Sequence, residues 1–328
     1  MYRESASTLA KKFEYPFGGF LAQSITPKPP PKWQIAAILT IAILAISTSS
    51  IWIRFAIAEA EIRGVGFSLV IAAMRLTIAA SILVPMRGSG ARKAPPNAIG
   101  CSVAAGLFLA LHFGLWITSL SYTSIVASTT LVTTNPLWVA LLGWLWFGEK
   151  PTRQLTLGIA IALAGGILIS WGGTESAAAA TQPWLGNLLA LTGSWAVSVY
   201  LLLGREAQKR GLSVGGHMAI AHTIAALVLL PLPLAFGMSY GGYRTSVYGY
   251  ILLMALLPQL VGHTSINWAM RWISPTLVTL TILFEPVGAS ALGYWFFGEV
   301  PAVGVFVGAV VLLVGVAIAV LDARRTSA

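Results

Sequence analysis

Few side chains inside the long apolar stretches of this 328-residue chain can carry a charge or a strong hydrogen bond. Ionisable groups at mid-membrane depth are costly, so each one is a candidate for function. Glu285 is the carboxylate placed near the middle of such a stretch. It suits uptake and release of a proton, or capture of a substrate ammonium. The competing structural role is a hydrogen bond to backbone freed by Pro286, or a buried pair with an arginine, which alone says little about function. Arg75 lies near the middle of another stretch and is the arginine such a pair would use. Gln259, His263, Asn267 and Arg271 recur every four residues, which places them on one slowly drifting helical face. Pro258 heads this stripe and predicts a kink with a freed carbonyl. A polar stripe in lipid must face protein or a water-filled cavity. It therefore reads as a cavity wall that hydrogen-bonds a substrate, or as interhelical bonding. Arg271, at the end of its stretch, reads as a topology charge.

Other candidates are grouped by helical spacing. Ser47, Ser50 and Arg54 follow at three and four residues, with Trp52 beside them. Arg54 lies near a membrane end, where its side chain can snorkel. Asn187, Ser194 and Ser198 share a face, with Trp195 and Tyr200 nearby. Trp52, Trp195 and Tyr200 suit stacking on an apolar or aromatic substrate, although tryptophans also anchor membrane interfaces. His112 and His263 are further imidazoles able to join proton coupling. His217 and His222, five apart, do not share a face well and rank lower.

The elements that must position these residues are membrane helices. The chain is 57% hydrophobic and 9% charged, against about 25% charged for an ordinary soluble domain. The apolar stretches run at about 34–58, 66–86, 97–119, 125–147, 151–171, 184–204, 213–236, 247–271, 275–297 and 301–321. Each is long enough to cross a hydrocarbon core of about 30 Å. Turn chemistry separates them: Arg87-Gly-Ser-Gly, Gly148-Glu-Lys-Pro151, Gly172-Gly-Thr, Gly241-Gly and Gly298-Glu-Val-Pro301. Ahead of them, residues 1–33 form a basic tail ending in a proline cluster, which reads as an extended spacer. Its Phe13, Tyr15, Phe17, Phe20 and Leu21 offer a weak membrane-surface stripe. No secretory signal peptide is expected. The formal net charge of +10 sits in short loops between apolar runs, which points to topology and anionic lipid rather than nucleic acid.

Charge asymmetry predicts the orientation. With the N-terminus inside, sixteen of the 20 basic residues fall in cytoplasmic segments, and only Arg63 and Arg244 fall outside. Arg54 and Arg75 lie within spans. An even count of ten, with both ends cytoplasmic, preserves that separation.

The two halves match when the sequence is slid by 150 positions. Pro136 falls on Pro286 and Gly143 on Gly293. Phe147-Gly148-Glu149 falls on Phe297-Gly298-Glu299, and Pro151 on Pro301. Gly158 and Gly165 fall on Gly308 and Gly315. The earlier helices match loosely, with His112 one residue out of register from His263. Two halves of five helices must enter the membrane from opposite sides, which is an inverted repeat built around one central site. The two Gly-Glu-x-Pro motifs read as structural: a left-handed glycine closes one helix, and the acid and proline open the next. The glycines at 158, 165, 172, 308 and 315 predict close helix packing, including the surface of a homodimer.

Five-plus-five helices, the paired Asn135-Pro136 and Glu285-Pro286, and the paired Gly148-Glu149 and Gly298-Glu299 resemble the drug/metabolite transporter superfamily, EamA type. Arg75 fits the same pattern. The likeness covers about residues 35–322. It implies an all-α integral membrane protein of ten transmembrane helices in two inverted five-helix repeats. Residues 34–171 and 184–322 would be the repeats, 172–183 an external linker, and 1–33 and 323–328 cytoplasmic tails. Members of the family export amino acids and other metabolites or drugs, while relatives with the same fold carry nucleotide sugars or phosphorylated sugars. The expected transport path is Ser50, Trp52, Arg54, Arg75, His112, Asn135, Ser194, Trp195, Gln259, His263, Asn267 and Glu285.

The function classes narrow accordingly. A secondary active exporter of a small amphiphilic metabolite, such as an amino acid, comes first, acting by alternating access with proton coupling, in the plasma (inner) membrane. An exchanger of sugar phosphates or nucleotide sugars comes second and needs cations in the cavity, for which Arg54 and Arg75 are available. A channel or scramblase is less favoured by the repeat. No P-loop sequence occurs, so ATP does not drive the cycle. An intramembrane enzyme lacks the necessary constellation, since no aspartate precedes Asp322. Cys101 is the single cysteine, so neither an intrachain disulfide nor a cysteine metal site is expected, and no cofactor or metal is called for.

Overall fold

The computed structural model describes residues 30–86, 94–147, 152–172, 181–273 and 275–325. The tail with its aromatic stripe, the Arg87 loop, the Gly148-to-Pro151 turn and most of the expected linker lie outside the described residues. All regular structure among the described residues is helical. That follows from composition: with so little polar surface, the backbone must satisfy its own N–H and C=O groups within each segment.

The chain runs through α1 (Lys32–Ser47), α2 (Ser49–Ala60), α3 (Val65–Met86) and α4 (Pro96–Ser119). Next come α5 (Ile125–Val132), α6 (Asn135–Phe147), α7 (Arg153–Gly172) and α8 (Pro183–Lys209). Then follow α9 (Val214–Leu229), α10 (Leu232–Ala235) and α11 (Thr245–Met254), a π-helical segment over Ala255–His263, and α12 (Thr264–Ala269). The chain closes with α13 (Pro275–Ile282), α14 (Glu285–Phe297) and α15 (Val303–Arg325). Seven helical stretches among the described residues are long and apolar enough to cross a membrane, and Thr156–Ile169 and Val303–Ile318 are shorter apolar helices. Helix starts follow local chemistry. The Ser124 hydroxyl accepts the Ala127 N–H at 3.2 Å to open α5, and the Ser213 hydroxyl accepts the Gly216 N–H at 3.0 Å to open α9.

Besides short breaks at Thr48 and at Leu230-Pro231, three interruptions depart from the smooth spans the sequence predicts. The stretch 125–147 breaks at Thr133-Thr134 into α5 and α6, and 275–297 breaks at Leu283-Phe284 into α13 and α14. In each case the proline is the second residue of the new half-helix. Pro136 and Pro286 have no N–H to give the carbonyls of Val132 and Ile282, so the ladder stops there. Pro258 produces more than a kink. It sits inside nine residues of π-helix, whose wider turns tolerate the missing donor.

Small residues bring helices together. A side chain at Gly165 would strike the Leu312 backbone and lie 2.7 Å from the Gly308 carbonyl oxygen. One at Gly315 would strike Ala162 and lie 2.7 Å from the Gly158 carbonyl oxygen. Rising numbers on α7 thus meet falling numbers on α15, and the two helices pack antiparallel. Gly158, Gly165, Gly308 and Gly315 thus pack one helix of the chain against another, as the close packing expected from the sequence requires. Similarly, α14 packs on α5 and α13 on α7's neighbour α6. On the other side, Gly262 of the π-helical segment lies against Ile46 of α1, and Gly288 of α14 lies against Ser47.

Gly298 closes α14 with φ +63°, its N–H reaching the Tyr294 carbonyl at 2.9 Å, as the sequence predicts. The rest of that motif differs. Glu299 and Pro301 do not open the next helix, because α15 begins only at Val303. The Glu299 carboxylate is engaged elsewhere.

Candidate functional site

A small cavity of about 40 Å³ lies where both halves of the chain meet. Its walls are Ile46 of α1, His112 and Trp116 of α4, Val132, Thr133 and Asn135 at the first break, and Val197 and Leu201 of α8. His263 at the end of the π-helical segment, Ile266 of α12, and Ile282 and Glu285 at the second break complete it. Two pairs that are 150 positions apart, Val132 with Ile282 and Asn135 with Glu285, therefore line one space. The nearly matched His112 and His263 line it too. A repeat creates this arrangement only if its two broken helices point their breaks at the same centre. Freed carbonyls and half-helix N-termini then converge there, which is how discontinuous membrane helices build solute sites.

The polar groups on these walls have distinct settings. His112 is 4% exposed, and its Nδ1 lies 2.9 Å from the Gly193 carbonyl oxygen, to which it must donate. The neutral ring then offers Nε2 as an acceptor. Trp116, one turn on, stacks against it with centroids 5.8 Å apart. Its indole N–H is buried without an acceptor among the described residues. Asn135 is 4% exposed, and its side-chain oxygen has no donor among the described residues. Glu285 is 7% exposed, and among the described residues no cation lies within 4.0 Å of its carboxylate. The direct Glu285–Arg75 pair considered from the sequence is thus not formed.

Arg75 instead sits behind Phe113, its guanidinium carbon 4.5 Å from that ring's centroid. It donates from Nε to Gln259 Oε1 and from a terminal nitrogen to Ser49 Oγ, both at 2.8 Å. Gln259 Nε2 in turn donates to His222 Nε2 at 2.8 Å, while His222 Nδ1 donates to the Met218 carbonyl at 2.8 Å. The line from Met218 through His222, Gln259 and Arg75 to Ser49 crosses four helical segments. The lower rank given to His222 missed its part in it. The stripe on 247–271 therefore serves three ends: Gln259 holds Arg75, His263 faces the cavity, and Asn267 donates to the Tyr200 hydroxyl at 2.9 Å. Arg271 is exposed and leaves the stripe.

The remaining expected residues lie off the cavity. Arg54 is 8% exposed and does not snorkel. It pairs with Glu299 at 3.3 Å and also donates to the Thr123 carbonyl, while Glu299 accepts the Ile125 N–H at 3.1 Å. This junction ties the middle of α2 to the Gly298–Ala302 connector and the start of α5. Trp52 stacks on Tyr250 at 6.1 Å, and Trp195 meets Phe108 edge-on at 5.5 Å. Ser194 accepts from Thr134 Oγ1 at 2.9 Å, bracing the first break. Ser50 is 1% exposed, with no partner for its hydroxyl among the described residues. Sequence reasoning missed Trp116 and Thr133. The signal for Trp116 was its place one helical turn after His112.

Comparison with known proteins gives the family and the fold. The family model for the EamA-like transporter family matches residues 32–171 and again 184–321. The uncharacterized transporter YdfC of Bacillus subtilis is 28% identical over 200 residues, covering 60% of this chain and 63% of its own length. A protein of Streptantibioticus cattleyicolor named "Probable terminal-alkyne amino-acid exporter" is 26% identical over 200 residues, covering 61% of this chain and 64% of its own. The chain thus spans under two thirds of the length of either relative. A solved crystal structure superposes with a TM-score of 0.60 over 91% of this chain and all of its own, at 19% identity, which speaks to fold alone. With the family model matched across both halves, this integral membrane chain belongs to the EamA-like transporter family of the drug/metabolite transporter superfamily.

Proposed function

We propose that the chain is a secondary active exporter of a small amphiphilic metabolite such as an amino acid, working by alternating access about the central cavity. The observation that carries this reading is the shared cavity itself, lined by equivalent residues of both halves. Two inverted five-helix repeats, residues 34–171 and 184–322, would make ten spans with both termini cytoplasmic, in the plasma membrane. The antiparallel packing of the equivalent helices α7 and α15 supports the inversion. A cavity of about 40 Å³ holds one or two waters, so a solute enters only if the two halves move apart. Glu285 is the carboxylate on the cavity wall and the group assigned to proton coupling. The name of the Streptantibioticus relative supports an amino-acid cargo.

Exchange of sugar phosphates is the second reading, and the geometry favours it less. Arg54 is held by Glu299 and Arg75 by Gln259 and Ser49, and neither lines the cavity. The test is transport in proteoliposomes of the purified chain, with labelled amino acids and sugar phosphates, with and without a pH gradient, for the native chain and Glu285→Gln. The reading expects gradient-driven amino-acid movement that Glu285→Gln uncouples. Movement of sugar phosphates alone would replace it.

A further inference from the structure

The two half-helices that open on the cavity are equivalent in position and unlike in charge. Asn135 opens α6 and Glu285 opens α14, each followed by proline and each on the cavity wall. A helix N-terminus carries roughly half a positive charge and unpaired N–H groups. At α14 the acid in the first turn is Glu285 itself, which offsets that charge and leaves an electronegative wall. At α6 the first turn holds no acid; Pro136 has no N–H and the Leu137 N–H donates to the Thr134 carbonyl at 3.0 Å, so this end differs from that of α14 by the missing carboxylate charge. Two further observations point to a ligand there. The Asn135 side-chain oxygen and the Trp116 indole N–H are both buried without partners, on residues only 4% and 3% exposed. Buried polar groups are normally satisfied, and the exceptions call for an explanation. Between these poles six aliphatic side chains, Ile46, Val132, Val197, Leu201, Ile266 and Ile282, share the wall with Thr133 and the imidazoles of His112 and His263.

We infer that the cavity is a zwitterion site whose charge selectivity is set by the difference between positions 135 and 285. The cationic group of the solute meets the Glu285 carboxylate. Its anionic group meets the N-terminus of α6, where the Trp116 indole supplies a second donor. The aliphatic part of the wall takes an apolar side group. This inference rests on the transporter reading and deepens it. One repeat kept an amide where the other has an acid, and that single difference turns a symmetric pair of poles into a dipolar one.

The test compares rates of three solutes that share one side group, in proteoliposomes of the full chain. They are leucine, its decarboxylated amine, and N-acetyl-leucine, which lacks the cation. The native chain should favour leucine over both analogues by about tenfold or more, the worth of one charge-assisted hydrogen bond. Asn135→Asp places acid at both helix starts and should cut the leucine-to-amine ratio by about tenfold. Glu285→Gln should cut the leucine-to-N-acetyl-leucine ratio by a similar factor. The double exchange Asn135→Glu with Glu285→Asn moves the poles across the cavity and should restore the leucine preference. Trp116→Phe keeps the wall's shape and should raise the KM for leucine without raising that for the amine. If the variants slow all three solutes equally, or transport survives with every ratio unchanged, the inference is overturned while the transporter reading stands. If the folded native chain moves none of the three but exchanges sugar phosphates, both fall together.

Discussion

The Arg54–Glu299 junction offers the sharpest test of how the two halves are held. Glu299→Gln keeps the size of the side chain and an oxygen for the Ile125 N–H, and removes only the charge. At 3.3 Å, two unit charges attract by about 5 kcal/mol at an effective dielectric constant of 20. Their side chains are 9% and 16% exposed, so part of that gain is offset by desolvation. Removing one partner then leaves Arg54 buried with only the Thr123 carbonyl, at a net cost of about 3 kcal/mol. For a chain of this size that lowers the Tm by about 6 °C, at roughly 2 °C per kcal/mol. The assay is thermal unfolding of the purified protein in detergent for the native chain, Glu299→Gln, Arg54→Gln and the pair together. The double variant should cost less than the sum of the singles by about 2 kcal/mol, since the second change removes a charge already orphaned. Equal melting of Glu299→Gln and the native chain, or strict additivity, refutes the claim that this contact carries energy.

Two further outcomes follow from packing and from the polar line. Gly308→Leu inserts a side chain where a single carbon already meets the backbone of α7 at 2.6 Å, so it should abolish stable folding, measured as loss of a monodisperse peak on size exclusion. Gln259→Leu strips Arg75 Nε and His222 Nε2 of their partner and should cost about 3 kcal/mol, seen as a lowered Tm.

Much of this architecture was legible because lipid imposes local rules. The apolar stretches coincide with helices to within a few residues, and Gly298 adopts the left-handed cap its motif predicts. The stripe at Gln259, His263 and Asn267 does face protein. What escaped the sequence is what depends on distant partners. The breaks at Thr133-Thr134 and Leu283-Phe284 lie inside stretches long enough to be read as single spans, so the half-helix starts beside Pro136 and Pro286 went unseen. Arg54 finds Glu299 only because α2 and α14 come together. The glycines of α7 and α15 signalled a close contact but not whose. Trp116 looked like one tryptophan among 12 until the cavity beside it was visible.

The Arg54–Glu299 pair also belongs to one particular facing of the chain, the one seen here. A perfectly duplicated scaffold would face either side of the membrane at equal free energy. In a chain that alternates, an ion pair formed in one facing and broken in the other lifts that degeneracy. A difference of about 2 kcal/mol would weight the two facings by roughly 30 to 1. Under the proposed transport cycle, one buried arginine would thus give the chain a preferred resting direction.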